Sequence, residues 1–324
     1  MALYPLTFQP ILKERVWGGR DLERLYQKPL PPAVPIGESW EITDRPGDVS
    51  VIANGQLAGK SLRWLMENHQ AELLGAGSSF DRFPLLLKIL DARETLSLQV
   101  HPPAALAATL QAEPKTEMWY VAHAQPGAEL FVGLKPGVTR EEFEKKIGSG
   151  NVADCFHQIK VKAGDAMFLP SGRVHALGAG LVIFEIQQNS DTTYRVFDWN
   201  RLGLDGKPRE LHIPQSLASI DFSDVEPGLL PSQASVQNAV TNMPLVSDPL
   251  FSVNLVDLPS AQQFPLTAGN AAILAVTDGQ LEVTDSQQRL ALSAGGFCLV
   301  PAALSGVVVQ CRRNARFLLI TPGM

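Results

Sequence analysis

Cysteine is scarce in this chain. Three thiols occur in 324 residues, Cys155, Cys298 and Cys311, and none lies in a CxxC pair. An odd number without close spacing excludes a disulfide framework and leads us to expect a reducing, cytoplasmic setting. Apolar runs long enough to cross a bilayer are also missing. The opening Met1, Ala2, Leu3, Tyr4, Pro5 lacks a basic segment followed by an apolar one, so no secretory leader is expected. Positive charge is not in excess: 27 Lys and Arg against 33 Asp and Glu give a net charge of -6. That disfavours nucleic acid as a partner, and no membrane or obligate protein partner is evident either. An anionic ligand would have to be met by local cations, not by a global field. Histidine is rare enough, at six, for each one to be weighed.

The length exceeds what a single core usually holds. Strands are expected at residues 10–17, closed by a Gly18-Gly19 turn, and at 38–42 and 49–52 around Pro46-Gly47. Ser61 caps an expected helix through Leu74, with Gly75 as its stop, and Thr139 with Glu142 forms a capping box for another ending at Gly148. Further strands are expected at 85–91, 96–101, 116–121, 156–161, 166–169, 181–187 and 194–198, with a short alanine-rich helix after Pro102-Pro103. Many short strands at this spacing signal a mainly β sandwich or barrel. Residues 221–235 turn acidic and aperiodic, which predicts a boundary between a domain at 1–225 and a smaller one at 236–324. In the second, a hairpin is expected over 271–283, turning at Asp278-Gly279.

The chemistry gathers on two stretches. On a strand at 96–101, Ser97, Gln99 and His101 share one face and Leu96, Leu98 and Val100 the other. Residues 164–175 carry a glycine, five residues, a proline, one, a glycine, two and a histidine, ending at His175; this resembles the second conserved motif of the cupin superfamily. Bringing His101 and His175 into one barrel, with Glu117 as carboxylate, makes a site suited to zinc, iron or manganese, and Gln99 offers a further carbonyl-oxygen ligand. Gly295 to Pro301 repeats the glycine–five–proline spacing without a following histidine, so the second barrel is read as a repeat lacking a metal site. Lys88, alone in an apolar run, either snorkels to an edge or faces a polar cavity. His69, His123, His157 and His212 are given surface roles. Two histidines with one carboxylate also describe non-haem iron oxygenases, and a non-catalytic sugar-binding protein could keep the same fold.

Nearly the whole chain resembles class I phosphomannose isomerase (mannose-6-phosphate isomerase) in its short bacterial form. The matching segments are residues 10–19 (PILKERVWGG), 37–41 (GESWE), 87–89 with 96–102 (LSLQVHP), 115–120 (KTEMWY), 169–177 (LPSGRVHAL) and 185–195 (EIQQNSDTTYR). The resemblance implies two tandem cupin barrels, one zinc ion per chain held by Gln99, His101, Glu117 and His175, and interconversion of mannose 6-phosphate and fructose 6-phosphate through an enediolate. It implies a catalytic role for Arg195 and substrate contacts for Ser97, Lys88 and Lys115. We assign Ser97 and Lys88 to the phosphate. Lys115, pushed towards neutrality by metal and burial, is favoured as the base, with Glu185 its rival. The chain departs from longer members at residues 113–117, where EPKTE replaces Asn-His-Lys-Pro-Glu, so Pro114 stands at a family histidine.

Overall fold

The computed structural model describes residues 2–231, 233–286 and 288–323. Met1 and Met324, at the ends of the two expected domains, and Ser232, within the expected boundary segment, lie outside them. The architecture is mainly β. A six-stranded antiparallel sheet sets Ile11–Gly19, Ile36–Ile42, Leu85–Ala92, Leu181–Gln188, Glu117–Ala124 and Ala166–Leu169 side by side. A five-stranded sheet sets Tyr194–Phe197, Leu98–Val100, His175–Leu177, Glu129–Leu134 and Phe156–Lys160 side by side. From Glu117 onward the chain moves to and fro between these two sheets, the crossing pattern of a jelly roll.

The six-stranded sheet is buried on both faces. Leu85, Leu87 and Ile89 pack outwards with Met118, Phe184 and Ile186, while Leu90 and Ala92 pack inwards with Trp119, Val121 and Ile183. Burial on both sides is why Leu85–Ala92 reads as a continuous apolar run and not as an alternation. The outer face of the five-stranded sheet carries Leu98, Val100, Phe131 and Val196, packed with Phe143 of the helix Arg140–Ser149. That helix and Leu62–Leu74 have the expected N-caps: Ser61 Oγ accepts from Trp64 N at 3.1 Å and Thr139 Oγ1 from Glu142 N at 3.2 Å.

A second pair of sheets repeats the order. Phe251–Leu258, Ala315–Pro322, Ala272–Asp278 and Phe297–Val300 lie in the sequence that Leu85–Ala92, Leu181–Gln188, Glu117–Ala124 and Ala166–Leu169 follow in the first. The strand Phe297–Val300, inside the glycine–five–proline segment, therefore holds the place of Ala166–Leu169. The interior of this second sandwich is apolar, filled by Val256, Leu274, Val276 and Phe317. The two units share a core: Phe184 stacks on Phe297 at 5.6 Å, and Leu6 and Leu299 exchange backbone hydrogen bonds at 2.9 and 2.8 Å.

Three expectations need correction. Residues 271–283 are not a hairpin: Ala272–Asp278 pairs with Phe297–Val300 and Ala315–Pro322, whereas Gln280–Thr284 belongs to the opposite sheet. Asp278-Gly279 turns a sandwich corner, not a ladder. Gly18-Gly19 does not end its strand in a turn; it lies within Ile11–Gly19, and a Cβ on Gly18 would come 2.4 Å from Gly37 N. Glycine serves there for a close backbone approach. The strand expected at 49–52 shrinks to a two-residue ladder, Asp44–Arg45 against Asp48–Val49, followed by single bridges at Val51 and Ile52.

Candidate active site

Two rows of side chains face each other between the sheets of the first unit. On the six-stranded sheet the cross-strand partners Trp40, Lys88, Glu185 and Trp119 run over four neighbouring strands. On the five-stranded sheet Arg195, Gln99 and His175 are partners across three. Direct partners share a face, so register alone aligns both rows into one cleft. Its volume is about 590 Å3, and Lys88, Ser97, Gln99, Lys115, Glu185 and Arg195 all line it.

Behind the lining residues Gln99 and Lys115, His101, Glu117 and His175 bring ligand atoms within 4.8 Å of one another. His175 follows the turn Pro170 to Arg173, in which Gly172 has a φ of +93° that suits glycine. All three are almost fully buried, so Glu117 is no solvent-facing carboxylate. Its Oε1 lies 3.3 Å from His175 Nε2 and its Oε2 3.5 Å from His101 Nε2. His101 Nδ1 is 2.8 Å from Thr192 O and His175 Nδ1 is 2.9 Å from Arg173 O. A carbonyl only accepts, so each Nδ1 carries the proton and each Nε2 keeps its lone pair for the centre. Burial, and then the Lys115 charge, lower the His101 pKa to about 4; burial lowers that of His175 too. Both Glu117 oxygens are buried, and Oε1 has no hydrogen bond. Lone pairs converging from two neutral imidazoles and one carboxylate fit a divalent cation of the zinc class. The Gln99 amide reaches this centre as well, with Nε2 3.2 Å from His175 Nε2. A half-turn of the amide brings its oxygen to the same place.

Lys115 Nζ stands 2.6 Å from Glu117 Oε2, 3.3 Å from His101 Nε2 and 3.9 Å from Glu185 Oε1. The carboxylates beside it work against the neutrality expected from a metal and burial. Burial does oppose the charge, but Glu117 and Glu185 outweigh it and the pKa moves up. Lys88 does not snorkel; it is buried, with Nζ 3.2 Å from Glu185 Oε1 and 5.0 Å from the Trp40 ring. Glu185 Oε2 accepts from Trp119 Nε1 at 3.0 Å, while Oε1 faces the Lys88 ammonium. Ser97 is buried in the cleft wall.

Arg195 pairs with neither Asp191 nor Asp198. Its Nη1 donates to Glu210 O at 2.8 Å, and its Nε is buried without a partner. Asp198 instead holds Arg201 and Arg209. His212, given no partner from sequence, has one: its Nδ1 accepts from Arg195 N at 3.2 Å. His69 and His157 meet the exposed Glu72 and Glu226 at 3.5 and 3.8 Å, and His69 also packs against the Trp64 ring at 5.2 Å. Arg15, Trp17, Glu38 and Arg209 also line the cleft and were missed. Alternation along 13–17 and 36–42 would have set Arg15 with Trp17 and Glu38 with Trp40, but nothing in the sequence says which faces turn inwards.

Residues 6–117 match the family described as phosphomannose isomerase type I, catalytic domain. The mannose-6-phosphate isomerase of Streptococcus mutans is 38% identical over 92% of this chain and 92% of its own. The crystal structure of the mannose 6-phosphate isomerase from Bacillus subtilis superposes with a TM-score of 0.90 at 31% identity, covering 98% of this chain and 99% of that one. A structure of a mannose 6-phosphate isomerase described as holo, zinc bound, shares the fold with a TM-score of 0.78 at 20% identity, over 99% of this chain and 100% of its own. The chain therefore belongs to the type I phosphomannose isomerases, in the short form of the Bacillus and Streptococcus enzymes.

Proposed function

We propose a division of labour for the mannose-6-phosphate isomerase reaction that this chain catalyses. The observation that carries it is the convergence of His101, Glu117 and His175 beside Gln99 and Lys115, two lining residues of a cleft whose walls also hold Lys88, Glu185 and Arg195. Gln99, His101, Glu117 and His175 hold one zinc ion per chain, which when bound supplies a Lewis acid for a carbonyl oxygen. Glu185 takes the proton from the carbon beside that carbonyl, because its carboxylate lines the cleft and its Oε1, 3.2 Å from the Lys88 ammonium, stays ionised. Lys115, a buried ammonium between two carboxylates, gives and regains a proton at substrate oxygen. Arg195, with Nε uncommitted, faces the charge that develops on the enediolate. Lys88 and Ser97 receive the phosphate.

We read residues 1–225 as the catalytic unit and 236–324 as a cupin-like partner without a metal. The repeated strand order and the apolar interior of the second sandwich support this division. The three free, buried cysteines fit a cytoplasmic enzyme. No described helix is long and apolar enough to cross a membrane.

The test is a coupled isomerase assay run beside proton exchange at C2 in heavy water. Glu185→Gln should keep its metal and fold yet lose both turnover and exchange. Exchange at the wild-type rate would remove Glu185 from the role of base.

A further inference from the structure

Arg15 has no part in the assignments above. It leaves the edge strand Ile11–Gly19 and lines the same cleft as Lys88, Ser97 and Arg195. Its Nε and Nη2 hold the two oxygens of Glu38 at 2.9 and 3.3 Å, and Nη1 donates to Glu14 O at 3.1 Å. A guanidinium has five N–H donors, so one on each terminal nitrogen stays uncommitted.

Glu38 is buried and also accepts from Trp40 Nε1 at 2.6 Å. The Trp40 ring in turn carries Lys88 Nζ at 5.0 Å. Glu38 feels the Lys88 charge as strongly as that of Arg15 or more, and the two together outweigh burial and bring its pKa down to about 2. Glu38 thus grips Arg15 directly and reaches Lys88 by way of the Trp40 ring, and both cations, on separate strands, line the cleft. Asp191, another lining residue, is a second anion whose charge reaches Arg15. A planar fork with free donors beside a lysine is a phosphate-binding arrangement, and an acidic chain has to gather such cations locally.

We propose that Arg15 is a substrate-binding residue, forming with Lys88 a two-cation fork, bridged by Glu38, that takes the phosphate of the sugar phosphate. Glu38 is the positioning residue that sets the spacing of the fork. The proposal rests on the assignment of Lys88 to the phosphate.

The experiment compares wild type with Arg15→Gln, Lys88→Gln and the double variant as zinc-loaded holoenzymes, recording zinc content and Tm for each. KM for mannose 6-phosphate and Ki for inorganic phosphate are the readouts. Arg15→Gln should raise both on the order of tenfold, with a smaller effect on kcat. The double variant should lose less than the sum of the singles, since both cations serve one anion. Arg15→Lys, which keeps the charge without the planar fork, should fall between. Should Arg15→Gln fail to fold, Arg15→Lys carries the test, and a phosphate Ki equal to wild type would overturn the proposal. A Ki raised by Lys88→Gln but untouched by Arg15→Gln overturns the fork and leaves the Lys88 assignment standing. A Ki untouched by either overturns both, without bearing on the isomerase activity itself.

Discussion

The two cleft histidines and the other four share a residue type and little else. His101 and His175 present unprotonated Nε2 atoms to a buried carboxylate, whereas His69 and His157 meet exposed ones. His101→Ala and His175→Ala should each abolish activity together with metal binding, and His123→Ala should leave both nearly intact. Metal content and turnover on the same preparation check this; a fully loaded His175→Ala protein would remove His175 from the ligand set. Arg195 allows a different separation. Removing a preorganised charge partner typically costs on the order of 100- to 1,000-fold in kcat, so Arg195→Ala should fold and keep its metal yet turn over very slowly. Lysine should rescue poorly, since a flexible point charge cannot reproduce a planar fork. Slow turnover accompanied by lost metal or a lowered Tm would mean that Arg195 is structural.

The elements show how a few residues fix the frame around the cleft. Asp91, at the end of Leu85–Ala92, accepts from Asp21 N at 2.6 Å and so caps the short helix Asp21–Tyr26 from a neighbouring strand. Burial raises its pKa to about 6, with the Asp21 charge adding to it against the backbone N–H donors. A carboxyl whose folded pKa exceeds its unfolded value of 3.8 gives stability that is lost as pH rises through about 6. Asp91→Asn has no charge to bury. The difference in Tm, variant minus wild type, should therefore grow from pH 5 to pH 7.5, and a difference independent of pH would show Asp91 ionised throughout. Ser61→Ala tests a conventional cap. Loss of the Ser61 Oγ contact to Trp64 N should cost about 0.5–2 kcal/mol and leave KM unchanged, measured by denaturant unfolding and steady-state kinetics.

In the whole molecule, one unit keeps its interior polar and the other fills it. Among the described residues, only His101, Glu117 and His175 gather as a ligand cluster, so elemental analysis should find about one tightly held divalent ion per chain. Two would refute the single-site assignment. The units also depend on each other. Phe184, Phe297, Leu6 and Leu299 belong to a single core that runs under both. Residues 1–225 expressed alone would expose that apolar surface and should be aggregation-prone. A soluble, active fragment with wild-type Tm would show the boundary to be a true joint.

The sequence by itself determined most of the strands, the two caps and the residues that gather as a candidate metal site. Each depends on local chemistry: alternation along 96–101, a Ser or Thr oxygen placed three residues before a free N–H, and glycines at 164 and 172 where φ is positive. Those signals travel along the chain and need no partner. Only the tertiary structure decided which strands pair, and with that the environment of each charge. Lys88 in an apolar run could point to an edge or a cavity, and the register that sets it opposite Glu185 resolves the choice. Lys115 was expected to be pushed towards neutrality by a metal and burial, and folding also sets beside it the carboxylates of Glu117 and Glu185, which favour its charge. Asp278-Gly279 has the composition of a hairpin turn and instead passes the chain between two sheets. Arg15 and Glu38 alternate in plain view, but which face of their strands turns towards the cleft depends on the sheet that covers them. A residue's type is local; the field it feels is set by neighbours from elsewhere in the chain, and only folding supplies those.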